Sequence, residues 1–179
     1  MPTHILVTYA SCTGSTVGVA DAIGRALTEH GANVEVRPMA QVAAISAYDA
    51  VVAGSAIQGK AWLPEAKAWV QDHQADLRQK RFAAFLVCLT LAMKNKAQVE
   101  QARPMVAEWL SPVRALVPTL SEGCFPGVLD LAKIPSWNDR MGFRISTLMG
   151  VWDEGDFRDW NAIQAWGGKL AELLLPQPV

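Results

Sequence analysis

Two stretches, Ala50-Val51-Val52-Ala53 and Ala83-Ala84-Phe85-Leu86-Val87, are apolar without interruption, and segments with helical periodicity separate them from similar runs. A strand that is apolar at every position has no solvent face, because successive side chains point to opposite sides of the sheet. Such strands belong in a parallel sheet with helices on both faces. Strand segments fall at roughly 4–9, 33–37, 50–54, 82–88 and 117–124, with helices at about 16–30, 62–77, 96–115 and 159–174. The 179 residues are a normal length for one compact domain, residues 1–179. Repeated strand–helix units predict an α/β, doubly wound, five-stranded parallel sheet, with strand order 2-1-3-4-5 the expected choice.

The first apolar run, Ile5-Leu6-Val7, leads into Ser11-Cys12-Thr13-Gly14-Ser15-Thr16, after which Ala20, Ile23 and Leu27 share one helical face. The first turn of a helix leaves backbone N–H groups unpaired, and the helix dipole adds partial positive charge there. A hydroxyl-rich turn in that place suits a phosphate. One cap needs one hydroxyl, whereas Ser11, Thr13, Ser15 and Thr16 supply four. Gly14 permits a backbone conformation that a Cβ would block. The turn contains no lysine or arginine, so neutral donors hold the anion. Neither Gly-x-Gly-x-x-Gly nor Gly-Lys-Ser/Thr occurs, which argues against a dinucleotide or a triphosphate and leaves a monophosphate. The pattern Ser11-x-Thr13-Gly14-x-Thr16, with Cys12 and Ser15 in its free positions, resembles the FMN phosphate loop of flavodoxins. That resemblance implies a flavodoxin-like fold with one noncovalent FMN.

Ligands of doubly wound sheets sit beyond the carboxyl ends of the strands at the switch point, so the loops after strands 3 and 4 are the next candidates. The first reads Gly54-Ser55-Ala56-Ile57-Gln58-Gly59-Lys60-Ala61-Trp62. It resembles an isoalloxazine-binding loop, with the backbone of Ser55, Ala56, Ile57, Gln58 and Gly59 along the ring and Ile57 against its face. Trp62 either shields the ring or packs the following helix. The second loop, Cys88-Leu89-Thr90-Leu91-Ala92, lacks the acidic and aromatic character of short electron-carrier flavodoxins. Leu89, Thr90 and Leu91 are expected to offer backbone amides and an apolar surface, leaving the ring open to a bulky partner.

A minimal doubly wound domain needs no long connection between strand 5 and its last helix, yet residues 128–150 intervene here as an insertion. Arg140 and Arg144 lie four apart among Met141, Ile145, Leu148 and Met149 on a predicted short helix. This mixture suits an apolar substrate bearing carboxylates, or a membrane surface; a solvated helix covering the sheet edge is the plainer alternative. The segment is expected to serve access rather than FMN binding. In the closing stretch Gly155-Asp156-Phe157-Arg158-Asp159-Trp160, Asp156 or Asp159 can cap the last helix, with Trp160, Ile163, Trp166 and Leu170 on its buried face. This ending, the phosphate loop and the basic–apolar insertion together resemble the menaquinone-dependent protoporphyrinogen IX dehydrogenases. The resemblance implies an FMN-dependent oxidoreductase oxidising protoporphyrinogen IX to protoporphyrin IX for haem synthesis, with a quinone acceptor. An electron-transfer protein docking on redox partners and an NAD(P)H:quinone reductase remain the alternatives.

Composition narrows the classes further. A formal net charge of −1 gives no basic face for nucleic acid. Cys12, Cys88 and Cys124 are far apart, and with only three histidines in the chain no metal-ligand spacing stands out. Cys88 and Cys124 read as small buried hydrophobes, and Cys12 as the filler of a free loop position. No hydrolytic set is present; the resemblance implies that FMN carries the chemistry, and no residue is expected to be catalytic. With neither a signal peptide nor a run of about 18 apolar residues, a cytoplasmic protein is expected, peripheral to the membrane if the insertion touches it.

Overall fold

The structure, a computed structural model, describes residues 2–134 and 136–176. Five strands make the parallel sheet: β1 (His4–Ala10), β2 (Asn33–Pro38), β3 (Ala50–Gln58), β5 (Arg81–Cys88) and β6 (Glu122–Pro126). Their order is β2-β1-β3-β5-β6, with the two-residue strand β4 (Ala61–Trp62) folded back antiparallel on β3. Counting the parallel strands alone, this is 2-1-3-4-5, the flavodoxin-like arrangement expected from the strand pattern.

Period-two alternation divides the strands between two cores. Ile5 and Val7 of β1, Ala50 and Val52 of β3, and Ala83, Phe85 and Val87 of β5 face α1 (Ser15–Glu29) and α7 (Trp160–Leu174). Leu6, Val51, Ala53, Ala84 and Leu86 face the opposite core with α2 (Pro64–Asp72), α3 (Gln74–Leu77), α4 (Lys96–Glu108) and α5 (Ser111–Leu116). Both faces are dry, which is why these strands are apolar at every position.

Three expectations shift. The helix expected at 62–77 begins only at Pro64, because Ala61 and Trp62 are drawn into the β3–β4 hairpin; it also breaks at His73. The helix expected at 96–115 breaks at Trp109–Leu110 and restarts as α5, with Pro112 in the first turn, where a missing N–H costs nothing. The last parallel strand is 122–126 rather than 117–124: Val117 ends α5, and only Leu120 and Ser121 reach the sheet, as N–H donor to Phe82 and carbonyl acceptor from Ala84.

After β6 the chain leaves the sheet in an excursion. Strands β7 (Val128–Leu129) and β8 (Gly155–Asp156) pair antiparallel as its stem. Between them run a 3-10 turn over Leu131–Lys133 and the helix α6 (Trp137–Leu148), in which no residue is buried. Residues 128–150 thus contain a real helix, with Pro135 outside the described residues.

Candidate functional site

A cleft of about 360 Å³ opens at the carboxyl end of the sheet. Its first wall is the turn between β1 and α1, through Cys12, Thr13 and Ser15. Gly14 sits at φ 91° and forms the helix N-cap with no side-chain capping bond. Asn95, Ser136 and Asp159 cap α4, α6 and α7 through a side-chain oxygen, whereas α1 shares the lack of one with α2, α3 and α5 and differs from them in the hydroxyls gathered around its start. Ser11 Oγ instead accepts the Gly14 N–H at 3.0 Å, holding the turn in shape. Thr16 is 0 % exposed, and its Oγ1 is among the buried polar atoms without a hydrogen-bond partner. A buried hydroxyl without a partner costs about 1–3 kcal/mol. Four hydroxyls around an uncapped helix end, one of them orphaned, fit a phosphate group. Capping alone does not explain them.

The second wall is the β3–β4 hairpin, through Ala56, Ile57, Gln58 and Gly59. Gly59 (φ 59°) and Lys60 (φ 63°) are both left-handed. Gln58 pairs with Ala61 across them, so this is a two-residue hairpin turn of the primed kind. The turn fixes the Gly59 peptide at the cleft edge. Ser55, expected at the ring, is fully buried: its hydroxyl donates to the Ala56 carbonyl and accepts the Leu63 N–H at 3.1 Å. It shapes the hairpin and does not line the cleft. Trp62, assigned to substrate or membrane access, is 5 % exposed and packs in the core beneath α2. The hairpin pairing with Ile57 turns it inward, and it packs in the core and does not line the cleft.

The floor is the end of β5, Val87 and Cys88, continued by Leu89. Burial pushes the Cys88 thiol up to about 11, so it faces the cleft as a neutral group. Thr90 begins a 3-10 turn that carries Leu91 into the core, and neither lines the cleft. Ser11, Gly14 and Thr16 likewise stand behind the lining, one as brace, one as cap and one as buried hydroxyl.

The remaining wall was not foreseen. Gly127, Val128, Leu129 and Asp130 line the cleft from the stem of the excursion, and Ile134, Asp139 and Phe143 from its turn and helix. Part of the segment 128–150, expected to serve access rather than FMN binding, thus lines the same cleft as the phosphate turn. Gly127 joins the two halves: its N–H donates to the Cys88 carbonyl at 3.2 Å, and its own carbonyl accepts from Phe157 at 3.1 Å. Trp152 donates its indole N–H to the Leu89 carbonyl at 2.8 Å and meets the Phe143 ring edge-on, with centroids 5.5 Å apart. Lys94 pairs with Asp153 at 3.0 Å. The sequence signal for this wall was positional: β6 ends at the same edge as β1, β3 and β5. The pairing of Val128–Leu129 with Gly155–Asp156, some 27 residues later, had no local trace.

The two arginines separate. Arg140 is half-buried and donates twice to the Ile134 carbonyl, at 3.2 and 2.6 Å, bracing the start of α6. Arg144 is exposed on the outer side. Neither lines the cleft, whose lining contains two carboxylates, Asp130 and Asp139, and no lysine or arginine. Asp130 caps the 3-10 turn and pairs with Lys133 at 3.4 Å. At the last helix, Asp159 is the cap, accepting the Ala162 N–H at 3.0 Å, and Asp156 instead binds Arg158. Trp160 is 40 % exposed rather than buried, with the Arg158 guanidinium over its ring at 4.4 Å.

Comparison with known proteins agrees with this architecture. Similar structures include a flavodoxin from the domain Archaea (16 % identity, 96 % of this chain and 99 % of that one, TM-score 0.55). A short-chain flavodoxin associated with a PDU bacterial microcompartment is 16 % identical, over 97 % of this chain and 99 % of that one, at TM-score 0.58. The Fusobacterium nucleatum flavodoxin bound to flavin mononucleotide is 11 % identical, over 96 % and 98 %, at TM-score 0.56. At these identities the likeness is one of fold. No curated protein matches the sequence significantly. The flavodoxin domain matches residues 6–149, four-fifths of the chain, from the first strand through α6, and the chain belongs to the flavodoxin-domain family.

Proposed function

We propose that this protein binds FMN in the cleft and works as an oxidoreductase that takes hydrogen from a bulky reduced donor of the protoporphyrinogen kind and passes it to a quinone. The observation that carries FMN is the uncapped, hydroxyl-lined start of α1 with its orphaned Thr16 hydroxyl. Thr13, Ser15, Thr16 and the N–H groups of the first turn would hold the phosphate. The Ile57–Gly59 backbone and Leu89 would flank the ring. When bound, FMN supplies the hydride and electron chemistry.

The chain's own residues orient the partners and exclude water. Ile57, Leu89, Leu129, Ile134 and Phe143 give the cleft an apolar surface that suits a flat, uncharged molecule such as a quinone. Asp139, a carboxylate on that wall with no ion pair among the described residues, would be the side chain to take up a proton released on donor oxidation. Because the cleft lining holds no cationic side chain, the propionates of a porphyrinogen would stay in solvent while the macrocycle edge enters. An acceptor that dissolves in lipid also sets the working protein at a membrane face. The identification of donor and acceptor rests on the sequence resemblance.

The test is anaerobic mixing of the FMN-loaded protein with protoporphyrinogen IX, followed by a menaquinone analogue. Bleaching of the flavin by the first and recovery with the second is the expected result. Direct bleaching by NAD(P)H would favour a quinone reductase. If neither compound reacts while a redox protein does, the chain is an electron carrier.

A further inference from the structure

We infer that the outer face of α6 is a lipid-docking surface that seats the protein on an anionic membrane, with the cleft held at the lipid boundary. At about 100° per residue, Trp137, Met141, Ile145 and Leu148 fall within a sector of roughly 80°. Asp139 and Phe143 fall on the opposite side, and those two line the cleft. One short helix therefore has two working faces. The inner one closes the site, and the outer one is apolar and open to solvent: Trp137 is 68 % exposed and Leu148 86 %. Among the described residues, five of the nine exposed large hydrophobic side chains lie between Trp137 and Met149, while the others are scattered over α4, α7 and the α5–β6 turn. Scattered exposed apolar residues are ordinary on a protein surface; a continuous stripe is not.

Size and charge select the occupant. A helix of 12 residues, about 18 Å long and 10 Å wide, presents on the order of 200 Å². A stable dimer needs about 800 Å² from each partner. An amphipathic helix settling into the headgroup boundary has no such minimum, and it gains from each apolar side chain inserted. Trp137 at one end has the ring favoured at membrane interfaces. Arg144 flanks the stripe and is exposed, with no ion pair recorded among the described residues, and Asp139, the acidic residue of this helix, faces inward. The charge beside the stripe is thus the single positive one of Arg144, while Asp139, also exposed, lies on the cleft side of the helix. Among the described residues no helix is long and apolar enough to cross a membrane, so the contact is a surface one. The inference rests on the proposed function only in its choice of a lipid-dissolved acceptor.

The experiment is flotation of the FMN-loaded protein with phosphatidylcholine vesicles, with and without phosphatidylglycerol. Flotation on the anionic vesicles is expected. A Met141→Ser/Ile145→Ser/Leu148→Ser variant should lose about tenfold or more in partitioning while retaining its flavin. Arg144→Gln should lower the preference for phosphatidylglycerol several-fold. Acyl-brominated lipid should quench a fluorescence component that is missing in Trp137→Phe. Leu173→Ser, at an exposed apolar residue on α7 outside the stripe, should float like the parent. No flotation of the parent, unchanged flotation of the triple variant, or equal loss in Leu173→Ser overturns the inference. So does a dimer in solution that the triple variant dissociates, which would assign the stripe to a second copy. Flotation without reaction toward donor or quinone rejects the proposed reaction and leaves the docking surface standing; reaction without flotation does the reverse.

Discussion

The N-terminal ends of α1 and α7 share one core, yet they are finished in opposite ways. Asp159 closes α7 with a carboxylate on the Ala162 N–H. The start of α1 is surrounded by hydroxyls and takes no side-chain cap, and one of those hydroxyls is buried without a partner. One end is optimised for stability. The other leaves its N–H donors open to a bound anion.

The largest effect should come from loosening the seat that both helices share. Phe85 is fully buried between Phe125 and Trp166, in the core that also holds Val19 and Ile23. Phe85→Ala should cost about 3–5 kcal/mol in urea unfolding. Flavin affinity measured well below the unfolding transition should change little by comparison. If affinity falls as steeply as stability, the two ends are not independent and the comparison fails.

Thr16→Val should separate stability from binding. Loss of a hydroxyl bond to a charged phosphate weakens FMN by about 1.5–3 kcal/mol, or roughly 10- to 100-fold by fluorescence titration. The same change removes an unsatisfied buried group, so the flavin-free protein should become more stable, by about 1 kcal/mol. Opposite signs in the two measurements are the signature of a ligand-reserved hydroxyl. A drop in both would show that Thr16 has an ordinary structural role.

The mirror experiment is Asp159→Ala, which should lower the unfolding free energy by about 1 kcal/mol and leave the flavin dissociation constant where it was. Lys60→Gly bears on the other side of the cleft. Lys60 is the single non-glycine residue with positive φ among the described residues, and relieving it should add about 0.5–1 kcal/mol of stability. Retained stability with weakened flavin binding would show that the strained turn serves the ring.

The smallest effect is a pH dependence remote from the cleft. Glu122 is held below its ordinary 4.5, chiefly by the Arg114 guanidinium, which donates to both its oxygens at 2.8 and 2.9 Å. A carboxyl depressed in the folded state stabilises the fold above its unfolded pKa, and that contribution disappears as pH falls through the lowered value. Urea midpoints should therefore fall as pH drops below about 4.5, and less steeply in Arg114→Ala. Identical slopes would remove this pair from the acid limb. Neither protein should show a change in how the α1 and α7 ends compare.

Local chemistry made the phosphate turn legible. Its meaning lies in six consecutive residues and in the strand before them, and the ends of parallel strands are where such turns collect ligands. The uninterrupted apolar runs determined the layered sheet for the same reason, since a residue's face follows from its position along the strand. The sequence likewise determined that 137–149 carries arginine among large apolar side chains at helical spacing. Tertiary structure alone decided where each of these points. Trp62 goes inward because a two-residue turn reverses the chain just before it. Leu91 goes to the core because a 3-10 turn rotates it off the cleft. Arg140 binds a carbonyl, while Asp139, one residue earlier, faces the site, because a helix turns about 100° per residue. The fourth wall exists only because Val128–Leu129 meets Gly155–Asp156 across a long loop. Pairing between distant segments depends on the whole packed chain, and no window of residues encodes it.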